Sequence, residues 1–206
     1  TIWGTSSSWT LTALPLFVWM GEILFRTKLS ENLFKGLSPW MQKLPGGLIH
    51  VNVVGCALFA AISGSSAATV ATVGKMSIPE LRKRNYPESF LLGTLAGSGT
   101  LGLLIPPSII LIIYGVTVEE SIAKLFIAGV IPGIVLAILF MVYVIGWSIQ
   151  NKKIMPLISE DFSFLEKVKK SGQLLPVVLL IFSVIGSIYA GIATATEAAS
   201  LGVLGA

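Results

Sequence analysis

The sequence predicts an all-α integral membrane protein with a re-entrant helical hairpin and a discontinuous helix. Of its 206 residues, 54% are hydrophobic and only 12% are charged, whereas soluble domains carry about 25% charged residues. One short apolar stretch is interrupted at its midpoint by Ser63-Gly64-Ser65-Ser66. The next apolar segment is interrupted between residues 97 and 108 by three glycines and a proline pair. Irregular backbone inside apolar segments is typical of membrane proteins that build a site there.

The first element, residues 1–46, is predicted to combine a scaffold span with an amphipathic arm helix. Residues 9–25 form an apolar run that crosses from outside to inside, and Glu22 lies four residues before Arg26, which favours an ion pair. Residues 27–44 then carry Leu33, Leu37 and other apolar residues at helical spacing, with charges between them. This pattern suits a helix in the plane of the lipid headgroups. It suits a connecting helix packed on the protein equally well.

The second element, residues 47–74, is predicted to be a re-entrant hairpin. It has only 28 residues, and two membrane crossings need about 20 residues each plus a turn. Cationic clusters flank it on both sides, with Lys43 before it and Lys75 after it, and such clusters favour the cytoplasmic face. A hairpin that enters and leaves by the same face satisfies both constraints. Its tip would lie near the middle of the membrane.

The third element, residues 89–115, is predicted to be a helix that is broken between Gly97 and Ser108. Pro106 and Pro107 each remove an amide donor and clash with the preceding turn, so carbonyls in this segment lose their helical partners. Paired interruptions of apolar segments are the best sequence indication of a binding site near the bilayer midplane in secondary transporters. Residues 47–115 are therefore the predicted transport core.

The remaining elements are a returning span within residues 116–150 and a second arm helix, a span and a helix start within residues 151–206. Residues 125–147 are apolar, and the lysine-rich stretch 152–170 indicates the cytoplasmic side again. Residues 162–175 repeat the amphipathic pattern of the first arm. Thr194 and Glu197 have the spacing of a capping box, which predicts the start of the last helix. The chain begins without Met and ends in a helix-like run, so we expect it to be a fragment of a longer protein.

The two interruptions carry the candidate ligands, which are hydroxyls and free backbone groups. Unwound backbone carbonyls and hydroxyls suit a hard cation such as Na⁺, and the half-helix N-termini after Gly64 and after Pro107 favour a carboxylate substrate. The candidate cation-binding residues are Ser63, Gly64, Ser65, Ser98, Gly99 and Gly102. The candidate substrate-binding residues are Ser65, Ser66, Thr69, Thr100, Pro106, Pro107 and Ser108. Tight helix packing explains any single serine equally well.

Other chemistries have less support in the sequence. The net charge of +4 comes from basic residues in short segments between apolar runs, which argues against nucleic-acid binding. An intramembrane serine hydrolase would need His50, the only histidine, as its base, and His50 lies 13 positions before Ser63. We expect His50 and Asn52 to make packing hydrogen bonds instead. A passive anion channel stays open as the alternative, and we expect no enzymatic activity and no cofactor beyond Na⁺ as coupling ion.

Several motifs, in order along nearly the whole chain, resemble one family of membrane proteins. They are Leu44-Pro45-Gly46-Gly47, Ile62-Ser63-Gly64-Ser65-Ser66-Ala67, Gly102-Leu103-Leu104-Ile105-Pro106-Pro107-Ser108, Leu125-Phe126-Ile127-Ala128-Gly129 and Thr194-Ala195-Thr196-Glu197-Ala198-Ala199. Together they resemble the large membrane subunit of a TRAP transporter, the tripartite ATP-independent periplasmic family (DctM-type). The last motif is similar to that family's Thr-Pro-Thr-Glu-Ala-Ala, with Ala195 in place of the usual proline.

The resemblance implies an elevator-type, multi-pass secondary transporter in the bacterial inner membrane. It implies sodium-driven uptake of an organic acid, such as a dicarboxylate or sialic acid, which a periplasmic binding protein delivers, and it implies a small membrane subunit as partner. Residues 63–66 would form the first hairpin tip, and Ser98, Gly99, Gly102, Pro106 and Pro107 would lie in the unwound helix beside it, where one sodium site is expected. A second hairpin should come from an inverted repeat. The fragment is therefore expected to contain the first repeat and the start of the second, with half of the substrate site.

Overall fold

A computed structural model describes residues 9–27, 29–156 and 162–206. All regular secondary structure in these ranges is helical. Residues 1–8, which precede the first predicted span, Lys28 of the first arm helix, and residues 157–161 before the second arm helix lie outside the described residues. The helices are, in order, α1 (Ala13–Arg26), α2 (Leu29–Met41), α3 (His50–Ser63), α4 (Ser66–Lys83), α5 (Glu88–Gly99), α6 (Ile109–Thr117), α7 (Ile122–Gln150), α8 (Phe164–Ser171), α9 (Leu175–Tyr189) and α10 (Ala195–Gly205).

Helices α3 and α4 form a helix-turn-helix whose tip is the interruption predicted from the sequence. The two helices run antiparallel, since Gly55, nine positions before Gly64, faces Val73, nine positions after it. Helix α4 continues to Lys83, well past Gly74, where the hairpin was predicted to end. Gly74 lies in close contact with Leu95 of α5, where a Cβ atom would be 2.9 Å from the leucine side chain. This glycine therefore permits close helix packing and does not end the helix.

The helix that follows the hairpin is broken, as predicted. Helix α5 ends at Gly99, a 3-10 turn covers Thr100–Leu103, and α6 begins only at Ile109. The peptide bond between Pro106 and Pro107 is cis, and Ser108 has extended backbone angles immediately before α6. The chain therefore passes through residues 100–108 without a continuous α-helical ladder.

Helix α3 is the centre of the fold. Most of its residues are buried, and it packs against α1, α2, α4, α5 and α7. The side-chain amide of Asn52 donates to the Leu91 carbonyl at 3.3 Å and to Thr94 Oγ1 at 3.2 Å. These hydrogen bonds confirm the predicted packing role of Asn52, and they join the hairpin to α5. The last helix, α10, packs on α1, where Gly202 lies directly against Met20.

The two arm helices pack against each other but differ in burial. The Trp40 indole nitrogen donates to Ser171 Oγ at 2.7 Å, and Leu174 lies so close to Gly36 that a Cβ there would be 2.6 Å from it. Helix α2 buries Leu33, Phe34 and Leu37, so it is a connecting helix packed on the protein. Helix α8 has no buried residue and exposes three apolar side chains, Phe164, Leu165 and Val168.

Two helical stretches among the described residues are long and apolar enough to cross a membrane. They are Ile122–Gln150 and Phe164–Tyr189, with mean hydropathies of 2.8 and 2.0. The second combines α8, the turn Gly172–Leu174 and α9, so the predicted arm and the predicted span are continuous. The predicted capping box of α10 is confirmed, since the Thr194 amide donates to Glu197 Oε2 at 2.8 Å and the Glu197 amide donates to Thr194 Oγ1 at 3.4 Å.

Candidate functional site

The hairpin tip is a two-residue connection between two helices. Gly64 ends α3 with a left-handed backbone at φ +62°, a conformation that favours glycine because it has no Cβ. Ser65 follows in an extended conformation and caps α4, since its Oγ accepts from the Ala68 amide at 3.4 Å. The sequence Gly-Ser at this point therefore dictates the turn.

The hairpin tip lies directly on the break in the neighbouring helix. The Ile109 amide, at the start of α6, donates to the Gly64 carbonyl at 3.2 Å. A Cβ added at Gly64 would lie 2.7 Å from the Pro107 carbonyl oxygen. The structure therefore brings the two interruptions, 43 positions apart between Gly64 and Pro107, into one region.

Two of the three glycines in the break contact the hairpin. A Cβ on Gly102 would be 3.0 Å from the Ser66 amide nitrogen and 3.1 Å from the Ser65 carbonyl carbon. A Cβ on Gly99 would overlap the Val70 side chain. Only glycine allows the backbone of the break to approach the first turn of α4 this closely. Gly64, Gly99 and Gly102, all predicted as cation-site residues, therefore lie at this contact.

Three further glycines complete the surroundings of the site, and the sequence reasoning missed them. In α7, a Cβ on Gly129 would be 2.7 Å from the Leu104 carbonyl oxygen, and one on Gly133 would be 2.8 Å from Ile105 Cγ1. In α1, a Cβ on Gly21 would be 2.9 Å from Ser63 Cβ. The Gly-x-x-x-Gly spacing of Gly129 and Gly133 is a signal of close helix contact that the sequence does contain.

Several predicted hydroxyls at the site already have protein partners. Ser63 Oγ lies 3.0 Å from Thr69 Oγ1, and both side chains are fully buried. Ser108 is also fully buried, and its hydroxyl donates to the Leu103 carbonyl at 2.7 Å. A hydroxyl that donates its proton in this way keeps its lone pairs for another ligand. Thr100 is different, because its side chain is exposed and donates to Gly97 O at 2.7 Å.

Two predicted hydroxyls, Ser66 Oγ and Ser98 Oγ, are buried without a hydrogen-bond partner. Ser66 is in the first turn of α4, beside Gly102. Ser98 lies on α5 and lines a separate cavity of about 340 Å³ together with Val53 and Phe140. The structure therefore places Ser66 at the hairpin contact, whereas Ser98 makes no hydrogen bond to the tip. Buried polar atoms left unpaired are uncommon in folded proteins, and they need a partner such as water, an ion or a ligand.

Two side chains, those of His50 and Tyr86, make hydrogen bonds at the base of the hairpin. His50 is fully buried, with Nε2 2.8 Å from Pro45 O and Nδ1 3.1 Å from Met141 Sδ. This confirms the predicted packing role, since both ring nitrogens contact protein atoms of other segments. The Tyr86 hydroxyl accepts from the Leu48 amide at 3.0 Å, and burial raises the pKa of Tyr86 despite that bond. Tyr86 joins the end of the hairpin to its start, and the sequence reasoning did not predict this role.

The chemistry available at the contact is that of neutral oxygens and helix ends. Among the described residues, no cluster of three or more histidine, cysteine or acidic side chains is arranged to hold a metal ion. The N-terminal turns of α4 and α6 both begin at this contact. The first amides of a helix lack intrahelical partners and carry the positive end of its dipole. The arrangement can bind a small cation through oxygens and an anion through amides.

Comparison with known protein families shows to which family the chain belongs. All 206 residues match the family described as "Tripartite ATP-independent periplasmic transporter, DctM component". The chain belongs to this family. The predicted resemblance to the large permease subunit of TRAP transporters is therefore confirmed. The family and the curated relatives are named as transporter subunits and not as enzymes.

Three relatives show how closely the chain follows other large permease proteins. It is 38% identical to the C4-dicarboxylate TRAP transporter large permease protein DctM of Pseudomonas aeruginosa, over 96% of the chain and 45% of that relative. It is 34% identical to the ectoine/5-hydroxyectoine large permease UehC of Ruegeria pomeroyi, over 94% of the chain and 45% of the relative. It is 35% identical to the sialic acid large permease SiaM of Vibrio cholerae, over 98% of the chain and 46% of the relative. The chain thus spans less than half the length of these curated relatives.

Proposed function

We propose that this chain supplies one half of the binding site of a sodium-coupled TRAP permease that takes up an organic acid. The observation that carries the proposal is the contact between the hairpin tip and the broken helix, anchored by the hydrogen bond from Ile109 to Gly64. Two interruptions that are far apart in sequence meet where two helices begin. A transporter needs irregular backbone at such a place, and a protein that only packs helices does not.

Sodium coupling is proposed from the chemistry of the oxygens at the contact. Na⁺ is a hard cation that hydroxyl and carbonyl oxygens bind without a carboxylate. Ser66 Oγ is buried and unpartnered, and Ser108 keeps its lone pairs because its hydroxyl donates to the Leu103 carbonyl. Ser63 Oγ shares a hydrogen bond with Thr69 and also accepts from the Ser65 amide, so it is proposed as a ligand only if Na⁺ replaces one of these partners. Ser65 and the carbonyls near Gly64, Gly99 and Gly102 are the other proposed ligands. Ser98 is proposed as a ligand only for a Na⁺ ion that enters the cavity that Ser98 lines.

The proposed substrate is an organic acid, because the free amides at the starts of α4 and α6 favour a carboxylate. Ser65, Ser66, Thr69 and Ser108 lie in or next to those two starts. Pro106 and Pro107 shape the path by which the substrate would approach the site, and Thr100 lies at the exposed edge of the break. Two of the three relatives are named for C4-dicarboxylates and for sialic acid, which are carboxylic acids. The choice among such acids would be made by further residues of the complete protein.

The proposed setting is the bacterial inner membrane, with the hairpin as a re-entrant element of an elevator-type transporter. The apolar stretch Gly47–Ser63, which is helix α3 and the turn before it, is shorter than the about 20 residues that a helix needs to cross the bilayer. A periplasmic binding protein that delivers the acid and a small membrane subunit are the proposed partners, in line with the tripartite name of the family. A passive anion channel differs from this proposal in one respect, since a channel needs no coupling ion.

Sodium binding is expected to raise the thermal stability of the purified complete permease. A ligand that binds only the folded state stabilises it by about 1.4 kcal/mol at about ten times its Kd. For a permease as long as the relatives, more than twice the length of this chain, this raises the melting temperature by about 1–2 °C. The measurement compares melting in NaCl and in KCl of equal ionic strength. Ser66→Ala should reduce the Na⁺-specific shift, whereas the control Ser187→Ala should not, because Ser187 Oγ donates within its own helix to Val184 O. Equal melting temperatures in the two salts would contradict sodium binding.

A further inference from the structure

A cavity of about 820 Å³ lies away from the hairpin contact, between the end of α1, helix α2, helix α4 and the segment around α8. Its described lining is rich in cations. These are Arg26, Lys35, Lys75, Arg84 and Lys170, and the acids on the same lining are Glu31 and Glu80. The cavity is thus electropositive along its described lining, and the cationic residues place it on the proposed cytoplasmic side.

Two of these cations form no ion pair with a carboxylate of the described residues, whereas Arg26 is paired with Glu22. Lys35 and Arg84 face Glu31 and Glu80 at 3.7 and 3.9 Å, whereas Lys75 and Lys170 do not. The Lys75 ammonium lies 4.5 Å from the centre of the Phe25 ring, and the Lys170 ammonium lies 3.7 Å from the centre of the Phe162 ring. No carboxylate of the described residues lies within 4.0 Å of either ammonium. Within the described part of the chain, both charges are therefore available to an anion.

The rest of the lining is suited to an amphiphile. Phe34 and Met76 line the cavity and are nearly fully buried, so part of its wall is apolar. Gln42 also lines the cavity, is 9% exposed, and has a buried Oε1 without a hydrogen-bond partner. That oxygen can only accept, so it needs a donor from the ligand or from water. The lining therefore offers cations for an anion, an acceptor for a hydroxyl or ammonium group, and an apolar wall.

The helix beside the cavity indicates that the anion belongs to a lipid. Phe164 and Leu165 of α8 are 69% and 79% exposed, and Lys167, Lys169 and Lys170 follow them in the same short helix. An amphipathic helix with no buried residue and a lysine-rich face is typical of the membrane surface. Trp40, 40% exposed, lies against Phe164 with ring centres 6.4 Å apart. The cavity therefore opens beside a surface suited to lipid headgroups.

We propose that this cavity binds the phosphate of an anionic phospholipid at the cytoplasmic surface. Lys75 and Lys170 bind the phosphate, Gln42 Oε1 accepts from the headgroup, and Phe34 and Met76 contact its apolar part. Basic pockets between membrane helices on the cytoplasmic side are a general mode of binding such headgroups. Because Lys75 belongs to the hairpin arm α4 and Lys170 to α8, the lipid would join the hairpin to the arm helices. This site does not depend on the transport site proposed above.

The test is equilibrium binding of fluorescent phosphatidylglycerol to the purified complete permease in detergent. The comparison ligands are fluorescent phosphatidylcholine and inorganic phosphate. Phosphatidylglycerol should bind more tightly than phosphatidylcholine, and the double variant K75Q/K170Q should weaken it at least about tenfold. The variant K75R/K170R should retain binding, because it keeps both charges. The control K124Q should also retain it, since Lys124 is exposed and does not line the cavity.

Two results would overturn the proposal. One is an unchanged phosphatidylglycerol affinity in K75Q/K170Q, and the other is saturable binding of inorganic phosphate with no preference for phosphatidylglycerol over phosphatidylcholine. If K75Q/K170Q does not fold, the salt dependence of phosphatidylglycerol binding to the unmodified permease is measured instead. Its affinity for phosphatidylglycerol should then fall severalfold between about 50 and about 500 mM NaCl. An affinity that does not change over this range would also overturn the proposal.

Discussion

The substitution Gly64→Val is expected to reduce substrate uptake by the complete transporter at least about tenfold while the permease still reaches the membrane. Gly64 has a left-handed backbone at φ +62°, which costs a residue with a Cβ about 1–2 kcal/mol. The new Cβ would also lie 2.7 Å from the Pro107 carbonyl oxygen, and that contact can be relieved only by moving backbone. The hairpin tip would separate from the broken helix, and the hydrogen bond from Ile109 would be lost.

The measurement is uptake per molecule of permease in membranes, with the amount of protein determined independently. Gly186→Val is the matched control, because Gly186 lies in α9 away from the hairpin contact and a Cβ there meets no atom within 4 Å, and we expect near-normal uptake from it. Normal uptake by Gly64→Val would contradict a functional tip. Loss of the protein from the membrane, with normal activity in the remaining molecules, would assign Gly64 to packing alone.

Uptake is also expected to fall to background when the sodium gradient is removed. None of the candidate ligands at the two interruptions has a side chain that titrates near neutral pH, so this half of the proposed site offers no group that could carry a coupled proton. The measurement uses vesicles containing the complete permease with its small subunit, and a substrate-loaded binding protein outside. Vesicles with an inward Na⁺ gradient should accumulate the acid. Vesicles with an equal proton gradient and choline in place of sodium should not.

The same vesicles separate the transporter from its alternative. A passive anion channel would equilibrate the acid across the membrane in choline and would not concentrate it in either condition. Full accumulation in choline would contradict sodium coupling. Equilibration without accumulation would favour the channel.

The hairpin tip and the broken helix were predictable because their signals are local. Gly64 and Ser65 define a left-handed turn followed by a helix cap, and the proline pair prevents a continuous helix near residue 106. Each of these effects acts within a few residues, so the sequence alone reveals it. The capping box of Thr194 and Glu197 belongs to the same class.

The partners of each hydroxyl were not predictable, because they depend on which helices meet. Ser66 lies two residues after Gly64 and Ser98 lies between Gly97 and Gly99, yet only Ser66 lies at the contact between the hairpin tip and the break. Thr100 is exposed, although Gly99 and Leu101 on either side are buried. Such differences follow from the rotation of each helix about its axis, and periodicity does not define that rotation when both faces are apolar.

The arm helices show the same limit. Both have amphipathic patterns, and the sequence could not distinguish a helix on the membrane surface from one packed on the protein. In the structure, α2 buries Leu33, whereas α8 leaves Leu165 exposed. The amphipathic pattern indicates that a helix has an apolar face, but it does not indicate whether lipid or protein covers that face. The close approaches of Gly21, Gly129 and Gly133 were missed for a related reason, since they depend on neighbouring segments.

The central claim is that the hairpin enters and leaves the membrane by the same face, which places its tip at the transport site. Cysteine labelling of the complete permease tests it most directly, with Lys43→Cys, Lys75→Cys and Glu120→Cys introduced one at a time into a version without other reactive cysteines. A membrane-impermeant maleimide is applied to cells with a permeabilised outer membrane and, separately, to inverted membrane vesicles. The positive-inside pattern predicts that positions 43 and 75 both label only from the cytoplasmic side and that position 120 labels only from the periplasm. Labelling of positions 43 and 75 from opposite faces would contradict the re-entrant hairpin and the transport site built on it.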